Sequence, residues 1–492
     1  MVGAGAMGRG IAQVAAQGGM QVKLYDTAPG FAAKSRAGIA AQLDQLVAKG
    51  RLAEAEARAA IERIEVVETL ADLAPCTLVV EAVIEDLKVK REVFAALEAA
   101  VGPDCILASN TSSLRISSIA AGTKRPGRVA GLHFFNPVPL MKLVEVIGTP
   151  MTKPAVLDRL TAAGKAMGRV PVRANDNPGF IVNLGGRAYT QEALRIVSEG
   201  VATPAQVDAI MRDACGFRMG PFELMDLTGI DVNFPASMVI YEGFFHDRRL
   251  ATQPLHEGMR EAGRLGRKTK AGFYTYDAEG KQQGRETGID CAPTAPPAAT
   301  VVLPEANDRL AKLFLDAGAQ VVAADDGASP IVVALLGEDC TGAVVRLGLD
   351  ARRTVAIDLT GDPGKRITAM TAPGGLAAPL EAVAARLMLG GGKVTAIKDS
   401  TGFVAQRICA MVANLGCEMA QISVASPADI DLAMTLGLNY PTGPLALADK
   451  IGCATVLETL MRMQAITGDD RYRPSLWLRR RALLGLSATT AA

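Results

Sequence analysis

Gly3, Gly5 and Gly8 stand in the spacing G-x-G-x-x-G and open a helical stretch, Gly8–Gln17. An apolar segment, Met20–Tyr25, follows and ends at Asp26, 23 residues after Gly3 (26 − 3). Few folds accept this arrangement. Glycines so placed let a backbone approach a pyrophosphate seated on a helix N-terminus, and an acid about 20 residues on holds an adenosine ribose. Gly3, Gly5, Gly8 and Asp26 are therefore expected to bind a dinucleotide. The charge of Asp26 would repel a 2′-phosphate, which favours NAD over NADP. Only Met1 and Val2 precede Gly3, so the usual first strand of about five residues is nearly absent. A start placed too late, or a trimmed chain, is the simplest reading, and it puts the stability of the cofactor domain in question.

The segment His133–Glu145, HFFNPVPLMKLVE, carries one of only three histidines. Val129–Phe134 and Leu140–Ile147 read as strands, with Asn136, Pro137 and Pro139 between them. His133 and Glu145 each lie six residues from Pro139, so a reversal there brings them together. A carboxylate holds an imidazole in one tautomer and stabilises its protonated form, as a general base requires. The plainer reading is a core histidine with a chance glutamate nearby. His246 and His256 match no catalytic pattern.

Helix-like and strand-like segments alternate over residues 1–173, which predicts a mostly parallel, doubly wound α/β sheet. Residues 174–280 turn amphipathic and helical, with Pro204 in a first turn after Thr203 as cap. Asp290–Thr300 is a Pro/Ala-rich connector within a linker and small α/β region, 281–398, that has no glycine fingerprint. A repeat then appears. Asp399–Phe403, DSTGF, echoes Asp176–Phe180, DNPGF, and Gly443–Gly452 echoes Gly220–Gly229, both at an offset of 223 (402 − 179 and 443 − 220). Residues 399–492 thus read as a second, duplicated helical domain. Gln406 replaces Asn183 and Ala446 replaces Glu223 in it, so it reads as structural.

The net charge of +1 argues against a nucleic-acid or membrane-surface role. No apolar run reaches the roughly 18 residues of a membrane span. Eight scattered cysteines without a C-x-x-C pair suit reduced thiols in the cytoplasm, and no His/Cys cluster has zinc spacing.

GAGAMG with Asp26, VVEAVIEDLKVKREVF (Val79–Phe94), SNTSSL (Ser109–Leu114), HFFNPVPLMKLVEV (His133–Val146), DNPGFIVN (Asp176–Asn183), GPFELMDLTG and GRKTKAGFY (Gly266–Tyr274) occur in that order. Together they resemble the 3-hydroxyacyl-CoA dehydrogenase family, in the long form that includes the 3-hydroxyadipyl-CoA and 3-hydroxybutyryl-CoA enzymes of phenylacetate and fatty-acid metabolism. The resemblance implies NAD-dependent oxidation of an (S)-3-hydroxyacyl-CoA, with a 3-hydroxyadipyl chain expected and 3-hydroxybutyryl the alternative. It implies His133 as base, Glu145 as its partner, Ser112 as a contact to the substrate oxygen or to His133, and Asn183 as a hydrogen-bond partner of the 3-oxygen or thioester carbonyl. Glu85, Lys90, Asn136 and Lys268 would surround the nicotinamide end or its ribose, and Lys49 would meet the CoA tail. It also implies a homodimer, or a monomer whose second helical copy replaces the partner subunit.

Each has a plainer reading. The Ser112 run could cap the next helix, Asn183 could be an ordinary polar helix-start residue, Glu85 and Lys90 could be a solvated helix start, and Lys49 a surface lysine. The family's Arg after Asn183 is Leu184 here, followed by Gly185-Gly186, each costing about 1 kcal/mol in a helix. A distal carboxylate would want a cation, for which Arg187 and Arg218 are candidates. A non-catalytic NAD-binding protein and a dehydrogenase of free hydroxy acids are the competing functions.

Overall fold

The glycine loop leads directly into the first helix, α1 (Ala6–Gln17), in a computed structural model that describes residues 1–284 and 288–491. Residues 285–287 of the expected linker lie outside the described part. Contacts divide the chain into two units, Met1–Leu184 with Ile422–Leu438, and Gly185–Gln421 with Asn439–Ala492.

In the first unit, strands β1 (Val22–Leu24) and β2 (Ile64–Val66) pair in parallel. A five-stranded sheet follows in the order β3 (Leu78–Glu81), β4 (Ile106–Ser109), β5 (Val129–Phe134), β6 (Leu143–Gly148), β7 (Val170–Asn175). Only the β5–β6 pairing is antiparallel. Helices α2 (Phe31–Ala48), α3 (Glu54–Glu62), α4 (Leu87–Ala100), α5 (Ile116–Ala120) and α6 (Pro154–Ala166) alternate with these strands. This is the expected doubly wound α/β layer. β3 to β6 are almost wholly buried, as strands covered on both faces must be.

Val2 stands where a first strand belongs, bridged in parallel to both Tyr25 and Glu81. Its N–H donates to Val80 O at 2.9 Å and its carbonyl accepts from Ala82 N at 2.8 Å. The Met1 amine donates to Lys23 O at 2.6 Å. Val2 thereby links the β1–β2 ribbon to β3. A cavity of about 970 Å³ is lined by Met1, Ile11, Val22, Leu78, Val80 and Ile106 among others.

The strand expected over Leu140–Ile147 begins later, at Leu143. Leu140 N and Met141 N both donate to Pro137 O, so the chain is still turning there. α7 (Val182–Ser198) runs unbroken through Gly185-Gly186. The helix Pro427–Leu438, expected within the second helical domain, packs against β6 and β7 of the first unit. A Cβ on its Gly437 would lie 2.8 Å from Val182, so the close approach uses the glycine.

The second unit holds the helices Pro204–Asp213 and Pro221–Thr228, where Thr203 caps the former through Gln206 N as expected. It also holds a six-stranded sheet: Gln320–Val322, Thr300–Val302, Ile331–Ala334, Thr354–Ile357, Arg366–Met370, Lys393–Ile397 in spatial order. Its single antiparallel pairing joins Thr354–Ile357 to Arg366–Met370. Arg366, Ala377 and Lys393 start their elements 223 residues after Leu143 of β6, Pro154 of α6 and Val170 of β7. The duplication therefore reaches back beyond Asp399 into the sheet, which the motif repeat did not disclose.

His256 is buried in the second unit, its Nδ1 2.9 Å from Thr252 Oγ1 and its ring edge-on to Phe234. Burial, with a smaller push from the Arg187 charge, pulls it from 6.5 down to about 4. The unfolded chain takes this proton near pH 6.5 and the folded chain only near 4. Stability is therefore full above pH 6.5 and falls as pH drops towards 4, by about 3 kcal/mol for this one group. Urea unfolding midpoints between pH 4 and 7 should show this slope, and His256→Gln should flatten it.

Candidate active site

The three glycines do different work. Gly3 takes φ 89°, and a Cβ there would lie 2.5 Å from Ala82 O. A Cβ at Gly8 would fall 1.8 Å from Gly3 O. Gly5 faces open space, with nothing within 4 Å of an added Cβ. Packing thus requires the outer two, while the middle one leaves backbone accessible at the start of α1, whose first turn holds no acid. Asp26 Oδ2 accepts from Ala4 N at 2.7 Å, and Oδ1 from Ala28 N at 2.9 Å, so the ribose-type acid is anchored on this loop. The set fits a dinucleotide.

At the far side of the turn, His133 and Glu145 are register partners on β5 and β6. His133 Nδ1 lies 2.6 Å from Glu145 Oε2, and both side chains are buried. Glu145 Oε1 accepts from Ile181 N and Val182 N, each at 3.0 Å, where α7 begins. An ionised carboxylate has no proton to give, so with Glu145 charged its Oε2 accepts from the imidazole. Nδ1 therefore carries the proton, and Nε2 is left as the acceptor. Phe135 and Phe180 flank the ring, with centroids 4.5 and 5.8 Å away. Phe180 follows Gly179, and both adopt positive φ, which turns the chain from β7 into α7.

Asn183 stands in the first turn of α7, its Nδ2 donating to Ser112 O at 3.3 Å. Ser112 N donates to Glu85 Oε1 at 3.1 Å. Thr111 Oγ1 and Ser113 Oγ donate to the same carboxylate at 2.5 and 2.8 Å. Burial resists ionisation of Glu85, but these hydroxyls and the Lys90 charge outweigh it and hold its pKa below the ordinary range. The Ser/Thr run does not cap α5 through a serine side chain. The carboxylate of Asp176 accepts from Ile116 N and Ser117 N at 2.8 and 2.7 Å instead.

Lys90 is not part of a solvated helix start. Its side chain is 1% exposed, and Nζ lies 2.7 Å from Glu81 Oε1 and 3.3 Å from Glu85. Glu81 also accepts from Ser109 Oγ and Val83 N. Glu81, Ser109 and Thr111 were not singled out from the sequence. A charge closing the apolar run of β3 was the available signal. Asn110 was missed too, and its Oδ1 takes Phe134 N at 2.9 Å, next to His133.

The first unit thus brings His133, Glu145, Asn183, Ser112 and Glu85 into one connected network with Lys90 behind it. Asn136 is exposed in the turn after β5. Lys49 is exposed at the end of α2. Lys268 belongs to the second unit, where Nζ pairs with Asp231 at 2.6 Å. Arg187, also in that unit, is buried and donates to Ser237 Oγ at 2.6 Å, while Arg218 is exposed.

The second sheet shows what stands at the same register. Asp358 N donates to Thr368 O, so these two residues occupy the His133 and Glu145 positions. The connecting segment 360–365 is two residues shorter than 135–142. Gln406, at the Asn183 position, donates to Asp358 Oδ1 and Leu335 O and accepts from Gly337 N. This is a closed polar network without an imidazole. Among the described residues no cluster of three or more His, Cys, Asp or Glu could hold a metal, and no helix is long and apolar enough to cross a membrane.

The family model "3-hydroxyacyl-CoA dehydrogenase, NAD binding domain" matches residues 1–177, and its C-terminal companion matches 179–276 and 402–491. The chain is 38% identical to a 3-hydroxyadipyl-CoA dehydrogenase of Escherichia coli K12, over 98% of this chain and 97% of that one. It is 44% identical to the human mitochondrial hydroxyacyl-coenzyme A dehydrogenase, over 56% of this chain and 90% of that one. Among solved structures, a 3-hydroxybutyryl-CoA dehydrogenase from Escherichia coli K12 superposes with a TM-score of 0.86 at 36% identity, covering 98% of this chain and 97% of that one.

Gly5→Ala and Gly8→Ala should separate the two glycine roles. Gly5→Ala should weaken NADH binding about tenfold or more, read by NADH fluorescence, with the melting midpoint unchanged. Gly8→Ala should lower the midpoint as well, because its Cβ cannot be placed without moving the Gly3 backbone.

Proposed function

The chain belongs to the 3-hydroxyacyl-CoA dehydrogenase family of NAD-dependent oxidoreductases, and from that premise we propose that it oxidises (S)-3-hydroxyadipyl-CoA to 3-oxoadipyl-CoA. The observation that carries the catalytic reading is the triple tie of Glu145 to His133 Nδ1 and to the first amides of α7. NAD, when bound, supplies the hydride acceptor for C3. His133 Nε2 takes the proton of the 3-hydroxyl. The imidazolium so formed stays beside the Glu145 carboxylate, which offsets its charge in a buried site. Asn183, held against Ser112, donates to the 3-oxygen or the thioester carbonyl as charge builds on it. In the reductive direction the same imidazolium returns its proton to the alkoxide.

Gly3, Gly5, Gly8 and Asp26 hold the adenosine and pyrophosphate. Glu85 and Asn136 contact the nicotinamide end, with Lys90 fixing Glu85. Lys49 meets the phosphates of CoA. The adipyl chain rests on the full-length relative of that name, and 3-hydroxybutyryl-CoA is the alternative because a full-length solved structure carries that name. The reading places the enzyme in the cytoplasm. Its second helical copy takes the place of a partner subunit, so light scattering should return the mass of one chain.

NADH consumption with 3-oxoadipyl-CoA, acetoacetyl-CoA and free acetoacetate tests the assignment. A higher kcat/KM for the dicarboxyl ester and none for the free acid is expected. The opposite ranking of the two esters assigns the shorter substrate. His133→Gln should lower kcat by about 10²–10⁴ with NADH affinity retained, and unchanged turnover would reject His133 as the base.

A further inference from the structure

Two of the eight cysteines face each other where the two helical copies of the second unit meet. Cys215 lies in the turn after Pro204–Asp213, in copy one. Cys409 lies on Val404–Gln421, in copy two. Their sulfurs are 3.8 Å apart, with the Cys409 thiol donating to Cys215. Both line a cavity of about 530 Å³ together with Gln406, Thr360 and Lys450. Hydrogen peroxide is close to water in size, and such a cavity admits it. The Cys215 backbone is not helical, and Gly216 beside it takes φ 76°. Closing the gap from 3.8 Å to the roughly 2.05 Å of a disulfide needs rotation of the two side chains and movement of this non-helical turn.

We propose that Cys215 and Cys409 form a redox modification site, in which a hydroperoxide converts the two thiols into a disulfide joining the helical copies. One thiolate attacks the peroxide oxygen, breaks the O–O bond and becomes a sulfenic acid as the other oxygen leaves as water. The second sulfur then attacks the sulfenic sulfur and displaces a second water. Two thiols and one hydrogen peroxide become one disulfide and two waters, and the two electrons lost by sulfur are gained by the peroxide.

The surroundings set the rate. The Cys409 sulfur and then burial hold the Cys215 thiol well above its ordinary range, with Asp358 adding to this and Lys450 opposing it. The buried Tyr189 interacts with both thiols and the buried Tyr440 with Cys409, while Arg309 and Asp362 line the cavity. The thiolate is scarce at neutral pH, so oxidation is slow there and accelerates as pH rises. The bond also closes a long loop, which restricts the unfolded chain and raises the melting midpoint.

The test uses the full chain. It is treated with hydrogen peroxide at pH 7 and at pH 8.5, unfolded in an alkylating agent, digested and mapped by mass. A Cys215–Cys409 linked peptide lighter by two hydrogens, formed faster at the higher pH, reversed by dithiothreitol and accompanied by a higher midpoint, is expected. Cys215→Ser should abolish both the linked peptide and the rise in midpoint. Recovery of both residues fully alkylated after oxidation, linkage of either to other cysteines at equal yield, or a midpoint that stays or falls on oxidation would overturn the proposal. The wild-type map decides even if the serine variant fails to fold.

Discussion

Glu145 is the residue on which the rest of the site depends. One oxygen fixes the imidazole of His133 and the other fixes the start of α7, so strand β6 positions the base and Asn183 together. The carboxylate is fully buried, and burying a charge is costly unless donors surround it. Here three N–H donors do so. The corner at Gly179-Phe180 turns α7 so that its amides point at the strand. A similar arrangement sits at the end of β3 in the same sheet, where Glu81 gathers Lys90, Ser109 and the Val83 amide. Two buried carboxylates, each ringed by donors, thus support the floor beneath the proposed nicotinamide and substrate positions.

The duplicated half shows which features belong to packing and which to chemistry. Asp176 and Asp399 sit 223 residues apart and each binds the first amides of a helix, Ile116–Ala120 and Cys340–Leu347 respectively. That role is kept. The His133, Glu145 and Asn183 positions hold Asp358, Thr368 and Gln406, which bond to the second sheet and its loops. The two halves thus share a frame of strands and caps and differ in the side chains at these positions, as expected if the helix–sheet geometry and the site chemistry depend on different residues.

Much of this was legible in the residues. The alternation of helix-like and strand-like segments over residues 1–173 disclosed the α/β layer, and the symmetric placement of His133 and Glu145 around Pro139 disclosed their pairing. Period and turn chemistry are local, so they can be read along the chain. What stayed hidden is non-local. EDLKVK reads as a solvated charged run, and nothing in it says that Lys90 reaches a carboxylate at the end of β3. The kinship of the second sheet lies in element spacing, with no shared motif between 301 and 398. The start of β6 was misplaced because a hydrogen-bonded turn at Pro137 consumes residues whose apolar character suits a strand.

The few backbone bonds that join the β1–β2 ribbon to the main sheet have a consequence for ligand affinity. Asp26 lies just beyond β1, on a two-stranded ribbon that the backbone bonds of Met1, Val2 and Gly3 join to the main sheet. A nucleotide that engages both the glycine loop and Asp26 would span that seam. Part of its intrinsic binding free energy would then go into holding ribbon and sheet in register, and its dissociation constant would report on the integrity of the seam as well as on the contacts it makes.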